Sequence, residues 1–110
     1  MEFSEGHFRR LQALRAEGFV PLSFPLFPAH IGVQKYGCAA LLKPAEGGRL
    51  ELAAPAGYLI EGNISVLVER GGEQWFVWKS RRVRATPERL VELRRFREEL
   101  ERELETAGLV

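Results

Sequence analysis

Residues 64–79 read ISVLVER-GG-EQWFVWK, two apolar-rich runs on either side of Gly71-Gly72. This arrangement predicts a β-hairpin with a two-residue loop, where glycine supplies the positive φ that such loops demand. The loop sets the register. Arg70 falls opposite Glu73, Val68 opposite Trp75, Leu67 opposite Phe76, Val66 opposite Val77 and Ser65 opposite Trp78. Side chains alternate along a strand, so Val66, Val68, Trp75 and Val77 share one face and Leu67, Phe76 and Trp78 the other. Neither face is polar in its middle, which predicts that both are covered by other parts of the protein.

Downstream, Thr86-Pro87-Glu88 opens a helix, with Thr86 as N-cap and Pro87 at the first helical position. Leu90, Leu93, Phe96, Leu100 and Leu104 recur at three- and four-residue steps, one apolar stripe over about five turns. Gly108 is placed to end it. Upstream, Glu61-Gly62-Asn63 turns the chain into the hairpin, Tyr58 to Ile60 forms a short strand, and Ala54-Pro55-Ala56-Gly57 is a break. Arg49 to Ala53 and Val33 to Lys43 read as strands joined by the loop from Pro44 to Gly48, with a turn from Pro28 to Gly32. Val20, Leu22 and Phe24 alternate, but prolines at 21, 25 and 28 remove ladder donors and demote this run to an edge strand or extended cover. A first helix spans Glu5 to Glu17, capped by Ser4, stapled by Phe3 and Phe8 and ended by Gly18. The fold class is α+β: an antiparallel, hairpin-rich sheet of about five strands with an N-terminal helix and a long C-terminal amphipathic helix. Residues 1–110 form one domain on this reading.

An apolar share of 45% and a charged share of 28% are ordinary for a globular chain, and a net charge of +1 points to no polyanion or membrane surface. No run approaches the roughly 18 apolar residues of a membrane span, and the N-terminus lacks an apolar signal core. A cytoplasmic location is the expectation. A single cysteine, Cys38, leaves no internal disulfide and no multi-cysteine zinc site. All 15 acidic residues are Glu, Asn63 is the one asparagine, and 13 Arg stand against 3 Lys, a composition that fits a heat-adapted protein or a GC-rich genome.

Three constellations carry functional readings. Residues 79–97 hold a net charge of +6 next to two tryptophans. Arg81, Arg82, Arg84, Arg89, Arg94 and Arg95 are the candidates for holding nucleic acid or another polyanion, since arginine beside aromatics can pair phosphates and stack bases. The plain alternative is a solvated arginine-rich surface. Residues 98–110 carry a net charge of −4, so the last helix runs basic then acidic. An antiparallel copy would set each basic half against an acidic half, with Leu93, Phe96, Arg97, Leu100, Glu101 and Leu104 at a two-fold interface. The competing reading packs the same stripe on the chain's own sheet. Third, Cys38 with His30 or His7 would make a thiol site if a histidine reached the sulfur, although a cysteine entering an Ala-Ala-Leu-Leu run is the pattern of a buried, inert residue. The stretch from Gly57 to Asn63 can line a small pocket, or simply punctuate a bulged strand.

The leading expectation is a non-catalytic interaction module that self-associates as a homodimer or docks a protein partner, with no cofactor and no metal. Polyanion binding is the alternative, and a small-molecule pocket or thiol enzyme around Cys38 and His30 comes third.

Overall fold

A computed structural model describes residues 2–108. The α+β architecture is present: two helices, α1 (Glu5–Ala16) and α2 (Pro87–Gly108), enclose antiparallel strands. The strands number more than five and divide into two sheets. The larger contains β1 (Val20–Leu22), β2 (Ile31–Lys35), β3 (Cys38–Pro44), β4 (Leu50–Leu52), β5 (Gly57–Ile60) and β6 (Asn63–Ile64). Its order is β1-β2-β3-β5-β6, with β4 pairing the far half of the β3 edge that β5 also uses. The smaller is a meander of β7 (Val66–Arg70), β8 (Glu73–Trp78) and β9 (Arg81–Arg84).

Turn chemistry explains the extra strands. The run from Val33 to Lys43 is not one strand, because Tyr36 and Gly37 both take positive φ and reverse the chain between β2 and β3. Glu61-Gly62 does the same between β5 and β6, and Gly71-Gly72 between β7 and β8. Positive φ at both loop positions is the type I′ geometry, whose twist suits a two-residue hairpin. The basic segment after Trp78 is itself a strand: β9 folds back on β8, pairing Trp78 with Arg81 and Trp75 with Arg84. β1 sits at the sheet edge, where Pro21 needs no ladder partner on its outer side.

The hairpin register from Arg70–Glu73 to Val66–Val77 is as predicted. Ser65 departs from it. Instead of meeting Trp78, its N–H and hydroxyl both donate to the Tyr58 carbonyl, at 3.0 and 2.6 Å. This residue is the corner where the chain leaves one sheet for the other. A Cβ on Gly57 would lie 2.1 Å from the Ser65 carbonyl oxygen, so only glycine fits beneath that corner.

The hairpin is covered on one face only. Phe76 is fully buried and stacks on Tyr58, ring centroids 5.2 Å apart, which ties the small sheet to the main core. The other face is open: Val66 is 63% exposed, and Trp75 and Val77 are half-buried. Its Trp75 is shielded in part by β9, which lays the Arg82 and Arg84 guanidinium groups 4.8 and 5.8 Å from the ring centre. Arginine stems and cation–π contact shield an aromatic without a second apolar layer.

The main core lies between the helices and the large sheet. Leu93, Phe96 and Leu100 of α2 are buried there with Phe19, Val33, Cys38, Ala40, Leu42 and Ile60. A smaller cluster on the opposite sheet face joins Ala39 and Leu41 to Phe24, which the Pro-rich segment folds over Gly32. Two polar clamps hold the helices. In α1, buried His7 accepts the Ser4 N–H at Nδ1 and donates from Nε2 to the Ala45 carbonyl, each at 2.8 Å. His7 thus closes the capping exchange that Glu or Gln usually makes at this position. In α2, Glu99 accepts Lys35 Nζ at 2.8 Å, the Tyr36 hydroxyl at 2.8 Å and Arg95 Nε at 3.1 Å. The Lys35 hydrogen bond, seconded by Tyr36, holds the Glu99 carboxyl below the usual carboxylate range, and the same bond raises Lys35.

Candidate functional site

The six candidate arginines do not form one patch. Arg81 pairs with Glu61 at 3.0 Å, Arg84 with Glu73, and Arg95 with Glu99. Arg89 donates to the Arg84 carbonyl at 3.0 Å and lies over the Tyr58 ring. Arg81 and Arg82 of β9 both border one depression of about 280 Å³, with Arg70, Lys79 and Trp75, whereas Arg89, Arg94 and Arg95 lie on α2. Most of these cations already have an anion or a ring to stabilise them. The positive run in the sequence is divided between β9 and α2.

The proposed two-fold interface on α2 requires correction. Leu93, Phe96 and Leu100 are buried in the chain's own core, and Leu104 packs against it. A stripe used within the chain has no apolar surface left for a second copy. Only Arg97 and Glu101 of that set are exposed.

The thiol reading also fails to assemble. Cys38 lies opposite Lys35 at the turn end of β2 and β3, whereas His30 precedes Ile31, which pairs with Leu42. His30 is thus about five residues further along the ladder, roughly 16 Å at 3.3 Å per residue. His7 is occupied at Ala45. Burial, with Glu92 adding to it, pushes the Cys38 thiol up to about 11, so the sulfur is held in its unreactive protonated form. Among the described residues no group of three or more His, Cys or Glu converges as a metal site.

What the fold creates instead is an apolar groove of about 440 Å³. Its walls come from the Pro-rich turn Phe24–Phe27, the Ala54-Pro55-Ala56 break, the corner Asn63–Leu67, Trp78 of β8 and Leu93 and Arg97 of α2. The groove lies at the corner where the chain passes from the large sheet to the small one at Ser65, and α2 contributes to its wall. Four apolar residues on its walls are well exposed: Leu26 at 69%, Val66 at 63%, Phe27 at 43% and Leu67 at 38%. Arg97 is the one charged residue on the lining, and among the described residues it has no ion-pair partner. It also borders a second depression of about 390 Å³ beyond Pro55, which Glu101 helps to line. Of the stretch Gly57–Asn63 suspected of forming a pocket, only Asn63 reaches this groove. In the sequence the groove had weak signals only, an apolar Leu26-Phe27 between prolines and an Ala-Pro-Ala break. The first reads as an edge strand or extended cover and the second as a break between strands.

Compared with known proteins, the chain matches no family model, no curated protein and no solved structure. No helix among the described residues is long and apolar enough to cross a membrane.

Proposed function

We propose that this chain is a non-catalytic docking module whose groove takes an apolar segment of a protein partner carrying one carboxylate. The observation that supports the reading is a single cation, Arg97, without an ion-pair partner among the described residues, set in an otherwise uncharged lining with Leu26, Phe27, Val66 and Leu67 exposed on its walls. Its volume lies within the range of about 300–1,000 Å³ seen for ligand sites, and exposed apolar surface of this kind marks interaction sites. The apolar walls supply affinity, and Arg97 selects an acidic group and its position.

The test is selection of random eight-residue peptides on the immobilised chain, with a Leu26→Asp/Leu67→Asp variant as the counter-target. Both positions are exposed, so the variant should keep the native circular dichroism spectrum. Enriched peptides should be apolar with one Glu or Asp, should bind the variant at least tenfold more weakly, and should lose about three- to tenfold on Arg97→Gln, the size of an exposed ion pair of ~1 kcal/mol. Equal enrichment on wild type and variant would refute the groove as the docking site.

A further inference from the structure

β7 is the terminal strand of the small sheet, paired with β8 on one side only. Its loop determines which backbone groups point where. In a two-residue hairpin the pair flanking the loop exchanges both hydrogen bonds, and bonded and non-bonded pairs then alternate. With Gly71-Gly72 as the loop, Arg70, Val68 and Val66 direct their peptide groups inward to Glu73, Trp75 and Val77. Leu67 and Glu69 therefore direct theirs outward. The same alternation shows across β8, where the Gln74 carbonyl turns away from β7 and accepts the Ala85 N–H. Ser65, the next outward position, is already satisfied at its N–H by Tyr58.

The open edge thus offers two N–H and two C=O groups, and it begins at the residue whose side chain lines the groove, Leu67. Resting on the docking reading above, we infer that the partner segment enters as an added β-strand, hydrogen-bonded to Leu67 and Glu69 of β7. A strand laid here projects every second side chain to the Leu67 side, into the groove, and the others to the face of Val66 and Val68, of which Val66 also lines the groove. The recognised segment accordingly has apolar residues at alternate positions and one acidic residue within reach of Arg97. Backbone pairing supplies affinity with little dependence on sequence, and the groove supplies selectivity. Glu69 and Arg70 at the other end of the strand place charge on the edge, a device that discourages indiscriminate pairing.

The test uses the peptides selected on the full chain. Amide exchange by NMR should show the Leu67 and Glu69 N–H groups fast in the free protein and at least tenfold slower when peptide is saturating. Val68, already paired, should change little. Leu67→Pro removes only an outward N–H, which an edge strand tolerates, and should weaken binding at least tenfold beyond Leu67→Ala. N-methylation of the peptide at the residues that face β7 should do the same, and methylation at the intervening residues should not. Peptides that bind the groove without protecting Leu67 and Glu69 would overturn strand addition and leave the docking reading standing. A selection that yields no groove-dependent peptide would remove both. A wild-type dimer in sedimentation that Leu67→Pro converts to monomer would make the occupant a second copy and overturn the partner segment.

Discussion

Phe76 and Trp75 are neighbours on β8 with apolar rings of similar reach, yet truncating each to alanine should have very different costs. Phe76 is fully buried, stacked on Tyr58, and belongs to the main core. Losing its transfer free energy amounts to about 1.5–3 kcal/mol for a fully buried side chain. The aromatic pair adds about 0.5–1.5 kcal/mol. A residual cavity brings Phe76→Ala to about 3–5 kcal/mol, the usual range for such a change in a core. Trp75 is half-buried on the open face and touches Arg82 and Arg84, whose exposed cation–π contacts are worth about 0.5–1 kcal/mol each. With about 0.5–1 kcal/mol of partial burial added, Trp75→Ala should cost about 1.5–3 kcal/mol, below Phe76→Ala despite removing the larger ring. Urea unfolding of both variants, followed by far-UV circular dichroism with unchanged slope, measures the difference. A Trp75→Ala cost equal to or above that of Phe76→Ala would show that the outer hairpin face is covered, and the open-face description would be wrong.

The Glu99 clamp makes stability depend on pH at both ends. Glu99 is lowered when folded, so its contribution is present above the ordinary glutamate value and lost as pH falls through the folded value. Lys35 is raised, so its contribution is full below about 10.5 and lost as pH rises through the folded value. Glu99→Gln should cost ~1–2 kcal/mol at neutral pH after allowance for solvent screening, and should flatten both limbs of a stability–pH curve. An unchanged acid limb would assign that limb to other carboxylates. Cys38, with its thiol pushed up to about 11 and no exposed surface, should resist alkylation at pH 8 in the native state and react fully in denaturant. Rapid native modification would mean that the strand opens locally. Gly57→Ala should destabilise by more than the ~1 kcal/mol of an ordinary glycine replacement, because its Cβ meets the Ser65 carbonyl, whereas nothing lies within 4 Å of such an atom at Gly47. Matching melting curves for Gly57→Ala and wild type would mean that the corner is not tight.

Local features were legible in the sequence wherever one residue type meets one geometric demand. Gly71-Gly72 between two apolar runs set a hairpin and its register, Ser4 and Thr86 marked helix starts, and the prolines at 21, 25 and 28 kept that segment at an edge. The α+β class and the long amphipathic α2 follow from the same period-two and period-3.6 patterns. The Tyr36-Gly37 turn was missed because a bulky aromatic at positive φ is not expected. The Glu99 clamp, 63 residues away in the chain, accompanies it. β9 was missed because four basic residues in six conceal a strand whose arginines lie along a tryptophan.

Which surface each apolar stripe covers was a tertiary decision. Period alone says that Leu93, Phe96 and Leu100 face something apolar, and it does not distinguish the chain's own sheet from a second copy. In the folded chain α2 packs on β3 and β5 of the large sheet, which buries that stripe within the chain. The groove at Arg97 lies at the corner where the chain changes sheets. A groove is a gap between segments distant in sequence, so no local pattern encodes it, and only the packing of the two sheets brings Leu26, Leu67 and Arg97 to one site.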